Sequence, residues 1–137
     1  ALYRVGAGNC PFLSGGSGES GCDRVLQFAA ELPANSAPLG LAFYTADRFP
    51  RSYQGSLFIA LHGSWESRKP VGFKIVYLPL SNGQPASAYD WATGWLIDPP
   101  GRSWGRPVDL ITGPDGNLYL TDGSRGFVYR IYYLRDE

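Results

Sequence analysis

The feature that most restricts what this chain can fold into is an ordered recurrence of three segments. The first copy runs Pro38-Leu39-Gly40-Leu41-Ala42-Phe43, then Gly55-Ser56-Leu57-Phe58-Ile59-Ala60, then Gly72-Phe73 at the head of a longer apolar run. The second runs Pro107-Val108-Asp109-Leu110-Ile111, then Gly116-Asn117-Leu118-Tyr119-Leu120-Thr121, then Gly126-Phe127. Each segment follows a turn former and continues as a short apolar or alternating stretch, which is how β-strands bounded by turns read in sequence. Order and apolar phasing match, and the first copy carries the longer loops. Units of three or four antiparallel strands that recur in this way read as blades of a β-propeller.

Single strands support that reading. Leu57-Phe58-Ile59-Ala60-Leu61 is bounded by Gly55 and Gly63, and Phe73-Lys74-Ile75-Val76-Tyr77-Leu78 stops at Pro79, ahead of an Asn82-Gly83 turn. Further strands are expected at Arg24–Phe28 within Asp23–Ala30, at Leu118–Thr121 and at Phe127–Tyr133, and only Thr45–Ser52 offers a helical turn. Eighteen glycines, eleven prolines and 15% aromatic residues suit short strands and shaped loops. The sequence therefore predicts an all-β fold, a partial six-bladed β-propeller of about two four-stranded antiparallel blades. Residues 1–31 end a preceding blade, 32–95 form one blade, and 96–137 form the final one.

Two blades cannot close a ring, because propellers take four to eight blades and compact repeats use about 40–45 residues each. Alone they would expose strand edges and half of each apolar inter-blade face. The expected partners are the remaining blades of the same protein, as a separate chain or fragment, or further copies of this chain. Three two-bladed copies would make a six-bladed ring.

Charge and composition exclude other classes. Lys plus Arg equals Asp plus Glu at 12 each, so no net field draws nucleic acid or an acidic membrane. The basic residues are scattered rather than interleaved with aromatics. No apolar run approaches the ~20 residues of a membrane-spanning helix. Cys10 and Cys22 enclose a Gly/Ser-rich loop, and with a single histidine in the chain they do not complete a zinc site. A local disulfide is favoured over free thiols; it would stabilise the fold by roughly 3 kcal/mol and imply a secreted, extracellular protein. Gly16-Ser17-Gly18-Glu19-Ser20-Gly21 spells a dinucleotide fingerprint, but it lies between the cysteines with no helix to receive a pyrophosphate. It reads as a surface loop.

Two stretches carry chemistry. His62-Gly63-Ser64-Trp65-Glu66-Ser67-Arg68-Lys69-Pro70 follows a strand, and Trp104-Gly105-Arg106-Pro107-Val108-Asp109 leads into another. Both set cations and a large aromatic on loops shaped by Gly and Pro, suited to a flat, anionic ligand. The structural alternatives are a solvated pair at Arg68 and Lys69, a histidine bonded to a neighbouring loop at His62, and an inter-blade backbone bond at Asp109. No nucleophile elbow and no carboxylate pair at glycosidase spacing is present.

Taken together, Ala37–Tyr44, Phe49-Pro50, Tyr53-Gln54-Gly55, His62–Trp65, Pro70–Lys74, Thr93-Gly94-Trp95, Trp104–Asp109 and Tyr129-Arg130-Ile131 resemble the C-terminal part of the soluble pyrroloquinoline-quinone-dependent sugar dehydrogenases. This is the glucose/sorbosone dehydrogenase family. The resemblance covers about Leu32–Tyr133 and is nearest the sorbosone and fungal pyranose dehydrogenase branch. It implies a six-bladed propeller with quinone and Ca²⁺ on one face near the channel, acting on a sugar and passing electrons to an external acceptor. It also implies that His62, Trp65, Arg68, Lys69, Trp104 and Arg106 bind the cofactor. The cofactor is a planar tricarboxylate that calls for cations and a flat wall. The catalytic base is expected in an earlier blade and the calcium ligands outside this chain, which alone would be inactive. Asn35-Ser36 stands where many relatives carry histidine, and Asp122-Gly123 where an Asp-Asp pair is commoner. The competing reading is a non-catalytic propeller that binds a protein or glycan on the same face.

Overall fold

The structure is a computed structural model that describes residues 29–65, 69–97 and 102–134. The chain divides into two units, Ala1–Glu31 and Leu32–Glu137, and the architecture below is that of the second. The proposed Cys10–Cys22 pair, the Gly16–Gly21 loop, the strand expected at Arg24–Phe28 and Arg68 lie outside the described residues.

The fold is all-β. In chain order the strands are β1 (Pro38–Phe43), β2 (Leu57–Leu61), β3 (Lys74–Leu78), β4 (Leu80–Ser81), β5 (Gln84–Pro85), β6 (Tyr89–Ala92), β7 (Leu96–Ile97), β8 (Arg102–Ser103), β9 (Pro107–Thr112), β10 (Leu118–Asp122) and β11 (Val128–Ile131). One 3-10 turn, Arg51–Tyr53, overlaps the end of the segment expected to turn. Four strands form an antiparallel sheet in the order β1-β2-β3-β6, and three more form β9-β10-β11. Two short hairpins, β4-β5 and β7-β8, complete the described strands. None of these sheets closes on itself.

Local chemistry explains the boundaries. Asn82 and Gly83 both take left-handed backbone (φ 52° and 75°) and turn β4 into β5, as a two-residue hairpin loop requires. The run expected to begin at Phe73 begins one residue later, because Phe73 itself is left-handed (φ 56°). The last strand ends at Ile131 rather than Tyr133.

Period-two alternation directs Phe58 and Ala60 of β2, with Ile75 of β3, into a core shared with Leu110, Leu118 and Leu120 of the second sheet. Tyr44 and Phe49 join this core with their rings stacked at 4.7 Å. The Tyr44 hydroxyl donates to the carbonyl of Gly116 at 2.7 Å and accepts the N–H of Phe49 at 3.0 Å, tying the loop after β1 to the β9–β10 turn. Nearer the middle, β1 meets β9 at Gly40, where a Cβ would lie 2.2 Å from Asp109 Oδ1 and 2.4 Å from its Cα. Only glycine admits that approach.

This arrangement positions the site. Pro38 pairs with Leu61 and Pro107 with Asp122, so the segments before β1 and after β2 leave one end of their sheet together. Those before β9 and after β10 do the same in theirs. Four loops thereby converge on one cleft.

Candidate functional site

The cleft encloses about 870 Å³ and is lined by Asn35 and Ala37, by His62 through Trp65, by Arg106, and by Gly123 and Ser124. Each of the four loops is fixed by backbone bonds. The N–H groups of His62 and Gly63 donate to the carbonyls of Ala37 and Ser36, both at 2.9 Å, and Gly123 N–H donates to the Arg106 carbonyl at 3.0 Å. The loop from His62 to Gly72 is closed at its neck. Ser64 N–H donates to the Val71 carbonyl at 2.9 Å, and Val71 N–H returns to Ser64 Oγ at 3.2 Å. Gly63 and Gly72, both at positive φ, let the two arms touch: a Cβ on Gly72 would lie 2.7 Å from Gly63 Cα. A Cβ on Gly63 would strike the Phe73 ring at 2.5 Å.

Arg106 is the centre of the arrangement. Its guanidinium carbon lies 4.9 Å from the Phe73 ring centroid and 5.4 Å from that of Trp65, a cation held between two aromatic faces. One of its N–H groups donates to the Ser64 carbonyl at 2.9 Å. Among the described residues no carboxylate pairs with it; the ion pair there is Lys74 with Asp90 at 2.6 Å. A half-buried arginine with spare donors and no counter-charge suits an anionic ligand.

Behind Arg106 stands Asp122, which is buried at 3% exposure. Its Oδ1 accepts the N–H of Arg106 (3.1 Å), of Ser124 (2.8 Å) and of Arg125 (3.0 Å), and the Ser124 hydroxyl (3.0 Å). Its Oδ2 accepts Tyr129 Oη–H at 3.0 Å. Burial works against ionisation most strongly, yet the donors from Arg106, Ser124, Tyr129 and Arg125 together outweigh it and hold the carboxyl below its ordinary value. The Tyr129 phenol is pushed up, by burial first and then by its bond to the Asp122 carboxylate. Gly105 is required here, since a Cβ on it would lie 2.2 Å from Asp122 Oδ2.

His62 Nδ1 lies 3.0 Å from the Pro107 carbonyl, which joins the two chemistry-bearing stretches a second time. The structure therefore brings His62, Trp65 and Arg106 together. Of the other expected residues, Arg68 lies outside the described residues, and Lys69 and Trp104 are not among those lining the cleft. Lys69 is exposed. Trp104 stacks on Trp95 with centroids 6.3 Å apart, meets Tyr129 edge-on, and bonds the Gly94 carbonyl through Nε1. The β7–β8 hairpin places Trp95 and Trp104 on either side of its base, so their rings close on each other. Asp109 Oδ1 accepts the N–H of Leu110, a bond within its own strand rather than between the sheets. Asp122 and Gly123, noted in sequence only as a departure from an Asp-Asp pair, join the site together with Phe73, Ser64 and Ser124, whose parts spacing did not reveal.

Among the described residues no group of three or more His, Cys, Asp or Glu is placed to hold a metal ion. No helix there is long and apolar enough to cross a membrane.

Comparison with known proteins gives this architecture a relation. Residues 17–134 match the TrAA12-like family, and the chain belongs to that family. It is 43% identical over 104 residues to an uncharacterized protein of Borreliella burgdorferi, covering 75% of this chain and 27% of that one. It is 28% identical over 121 residues to the pyrroloquinoline quinone-dependent pyranose dehydrogenase of Coprinopsis cinerea, covering 73% of this chain and 15% of the relative. The holo form of that organism's pyranose dehydrogenase PQQ domain superposes with a TM-score of 0.64 at 27% identity, over 81% of this chain and 30% of the domain. A calcium structure of the Trichoderma reesei carbohydrate-active enzyme of family AA12 gives a TM-score of 0.62 at 26% identity, over 84% and 29%. The chain thus spans less than a third of the length of these relatives, and is a domain related to sugar oxidoreductases.

Proposed function

We propose that the chain is the C-terminal part of a pyrroloquinoline-quinone-dependent sugar dehydrogenase, supplying one wall of the cofactor site and the last blades of a six-bladed propeller. The observation that carries this reading is Arg106, a cation with no carboxylate partner among the described residues, clamped between Trp65 and Phe73 at the mouth of the cleft. Such a fork matches a carboxylate edge, and the exposed Trp65 ring offers a flat wall. The cleft they line, of about 870 Å³, leaves room for a planar ligand to approach. When bound, the quinone supplies the acceptor for hydride from a sugar hydroxyl.

The chain's own residues bind and orient. Arg106 holds charge, Asp122 holds the Arg106 backbone, and the closed neck of the His62–Gly72 loop fixes Ser64 and Trp65 relative to both. Arg68 and Lys69 follow Trp65 in the same sequence stretch and add positive charge to it. The base that removes the hydroxyl proton, and the Ca²⁺ ligands, belong to other blades in this reading, as do the contacts to sugar and external electron acceptor. Those blades come from the rest of the protein or from further copies. A native mass showing only a stable two-bladed monomer would exclude both arrangements. Secretion, and a Cys10–Cys22 disulfide detectable as a mass shift on reduction and alkylation, are part of the same proposal.

The test is reconstitution of the complete protein with pyrroloquinoline quinone and Ca²⁺, followed by sugar-dependent dye reduction. Uptake of the cofactor and turnover are expected, with weakened uptake in Arg106→Ala. A complete protein that takes up no cofactor overturns the reading and leaves a binding platform in its place.

A further inference from the structure

The two rings that flank Arg106 are held differently. Trp65 is 78% exposed, whereas Phe73 is 5% exposed and is a member of the core. Phe73 also has left-handed backbone (φ 56°), and among the described non-glycine residues with such backbone it is the one aromatic. A side chain of that bulk is costly there, because its Cβ crowds the following carbonyl. Asn82, at φ 52°, turns a two-residue hairpin that requires the conformation; Phe73 turns none. The β2–β3 ladder, continued one step past the Leu61–Lys74 pair, would set Phe73 opposite His62. The left-handed residue ends the ladder, and the ring centroid lies 4.9 Å from the Arg106 guanidinium carbon. Gly63 is bare at the same place, since a Cβ there would be 2.5 Å from the ring. Backbone, ring and glycine are thus arranged about one contact, and strain kept at such a point serves what it positions.

We propose that Phe73 is a positioning residue that acts through Arg106. An arginine side chain is long, and a single hydrogen bond, here to the Ser64 carbonyl, leaves the guanidinium free to swing about it. The buried ring supplies a second restraint, because a planar cation lies against a π face. The guanidinium donors are thereby held at the cleft before a ligand arrives, and an anion binds without first ordering the side chain. This rests on the function proposed above and adds to it how the cation is kept in one place.

The experiment uses the complete protein in two arms. In the first, without quinone, protein labelled with ¹⁵N at arginine gives the Arg106 Nε–H signal, identified by its loss in Arg106→Lys. A ring-shifted signal as ordered as the backbone is expected in wild type, with shift and order both reduced in Phe73→Leu. A mobile Arg106 in wild type, or a signal unchanged in Phe73→Leu, overturns the proposal. In the second arm, affinity for pyrroloquinoline quinone is titrated in wild type, in each single variant and in the double variant. Phe73→Leu is expected to weaken binding about fivefold by itself and to change it little in the Arg106→Lys background. Equal losses in both backgrounds would mark a general effect on the fold and overturn the proposal, as would no loss in either. Should Phe73→Leu fail to fold, Phe73→Met, unbranched and able to fill irregular space, takes its place in both arms. Wild-type protein that takes up no quinone removes the function proposed above, and the first arm alone then decides for Phe73.

Discussion

The carboxylate of Asp122 accepts the backbone N–H of Arg106 at 3.1 Å, so a buried anion fixes the residue whose side chain faces the cleft from the opposite direction. The same oxygen gathers Ser124 and Arg125, and Tyr129 closes on the other. Asp122→Ala leaves several donors without an acceptor in a buried place. It is expected to destabilise the fold by about 3 kcal/mol, read as a drop in urea midpoint at unchanged slope.

Because Asp122 ionises below its ordinary value when folded, the unfolded chain binds the proton more readily. The stability this residue contributes is complete above the ordinary carboxylate range and is lost as pH falls through the folded value. Urea midpoints at about pH 6 and about pH 3 should differ more in wild type than in Asp122→Asn, which has no carboxyl to protonate. Equal differences in the two proteins would refute this.

Gly40→Ala is expected to push β1 away from β9. The new Cβ would meet Asp109 Oδ1 at 2.2 Å and the Asp109 Cα at 2.4 Å, and backbone cannot yield as a side chain can. A loss of more than about 2 kcal/mol should follow, because overpacking against fixed backbone lies at the upper end of such costs. Thermal denaturation of the variant measures it.

Tyr44→Phe removes one hydroxyl that serves two partners, the Gly116 carbonyl and the Phe49 N–H. Both lie in buried surroundings, and the ring volume is kept, so the expected loss of roughly 1–3 kcal/mol reports the hydrogen bonds rather than a cavity. Tyr53→Phe, at a partly buried ring packed on the same cluster, is the comparison; a similar loss there would argue against the bridging role.

Arg106→Lys keeps the charge and loses the planar fork lying between Trp65 and Phe73. If Arg106 binds a carboxylate through that fork, affinity of the complete protein for pyrroloquinoline quinone should fall by about tenfold with little change in melting temperature. Unchanged titration curves would remove Arg106 from the site.

Much of the fold was legible because its signals are local. Gly-bounded apolar runs gave β2 and β10 to within a residue, and Asn82-Gly83 gave its turn. Strand β6 was not foreseen. Tyr89-Asp90-Trp91-Ala92 lacks clean alternation, and it forms because Trp91 packs edge-on against Phe58 while β3 offers a free edge. His62 follows β2 and Arg106 precedes β9, the counterpart of β1 and not of β2, so their meeting is read from strand pairing and not from the repeat. Ring orientation was not legible either. Trp65 and Trp104 occupy similar Gly-rich contexts in sequence, yet one faces a cation and the other faces Trp95. Which side a loop tryptophan turns to depends on the partner strand, and sequence spacing contains no record of it. Asp122 stood out in sequence only as a departure from the family's Asp-Asp pair, and its role did not show, since its five donors come from three separate stretches of backbone and side chain.

The closed neck at Ser64 and Val71 separates two kinds of change. Substitutions in the sheets below it disturb the core, whereas the segment between Ser64 and Val71 joins the fold where two hydrogen bonds close the neck. The neck thus divides the molecule for redesign: changes beyond Trp65 are expected to leave the stability of the sheets as it was, while Trp65 itself must stay to face the guanidinium of Arg106.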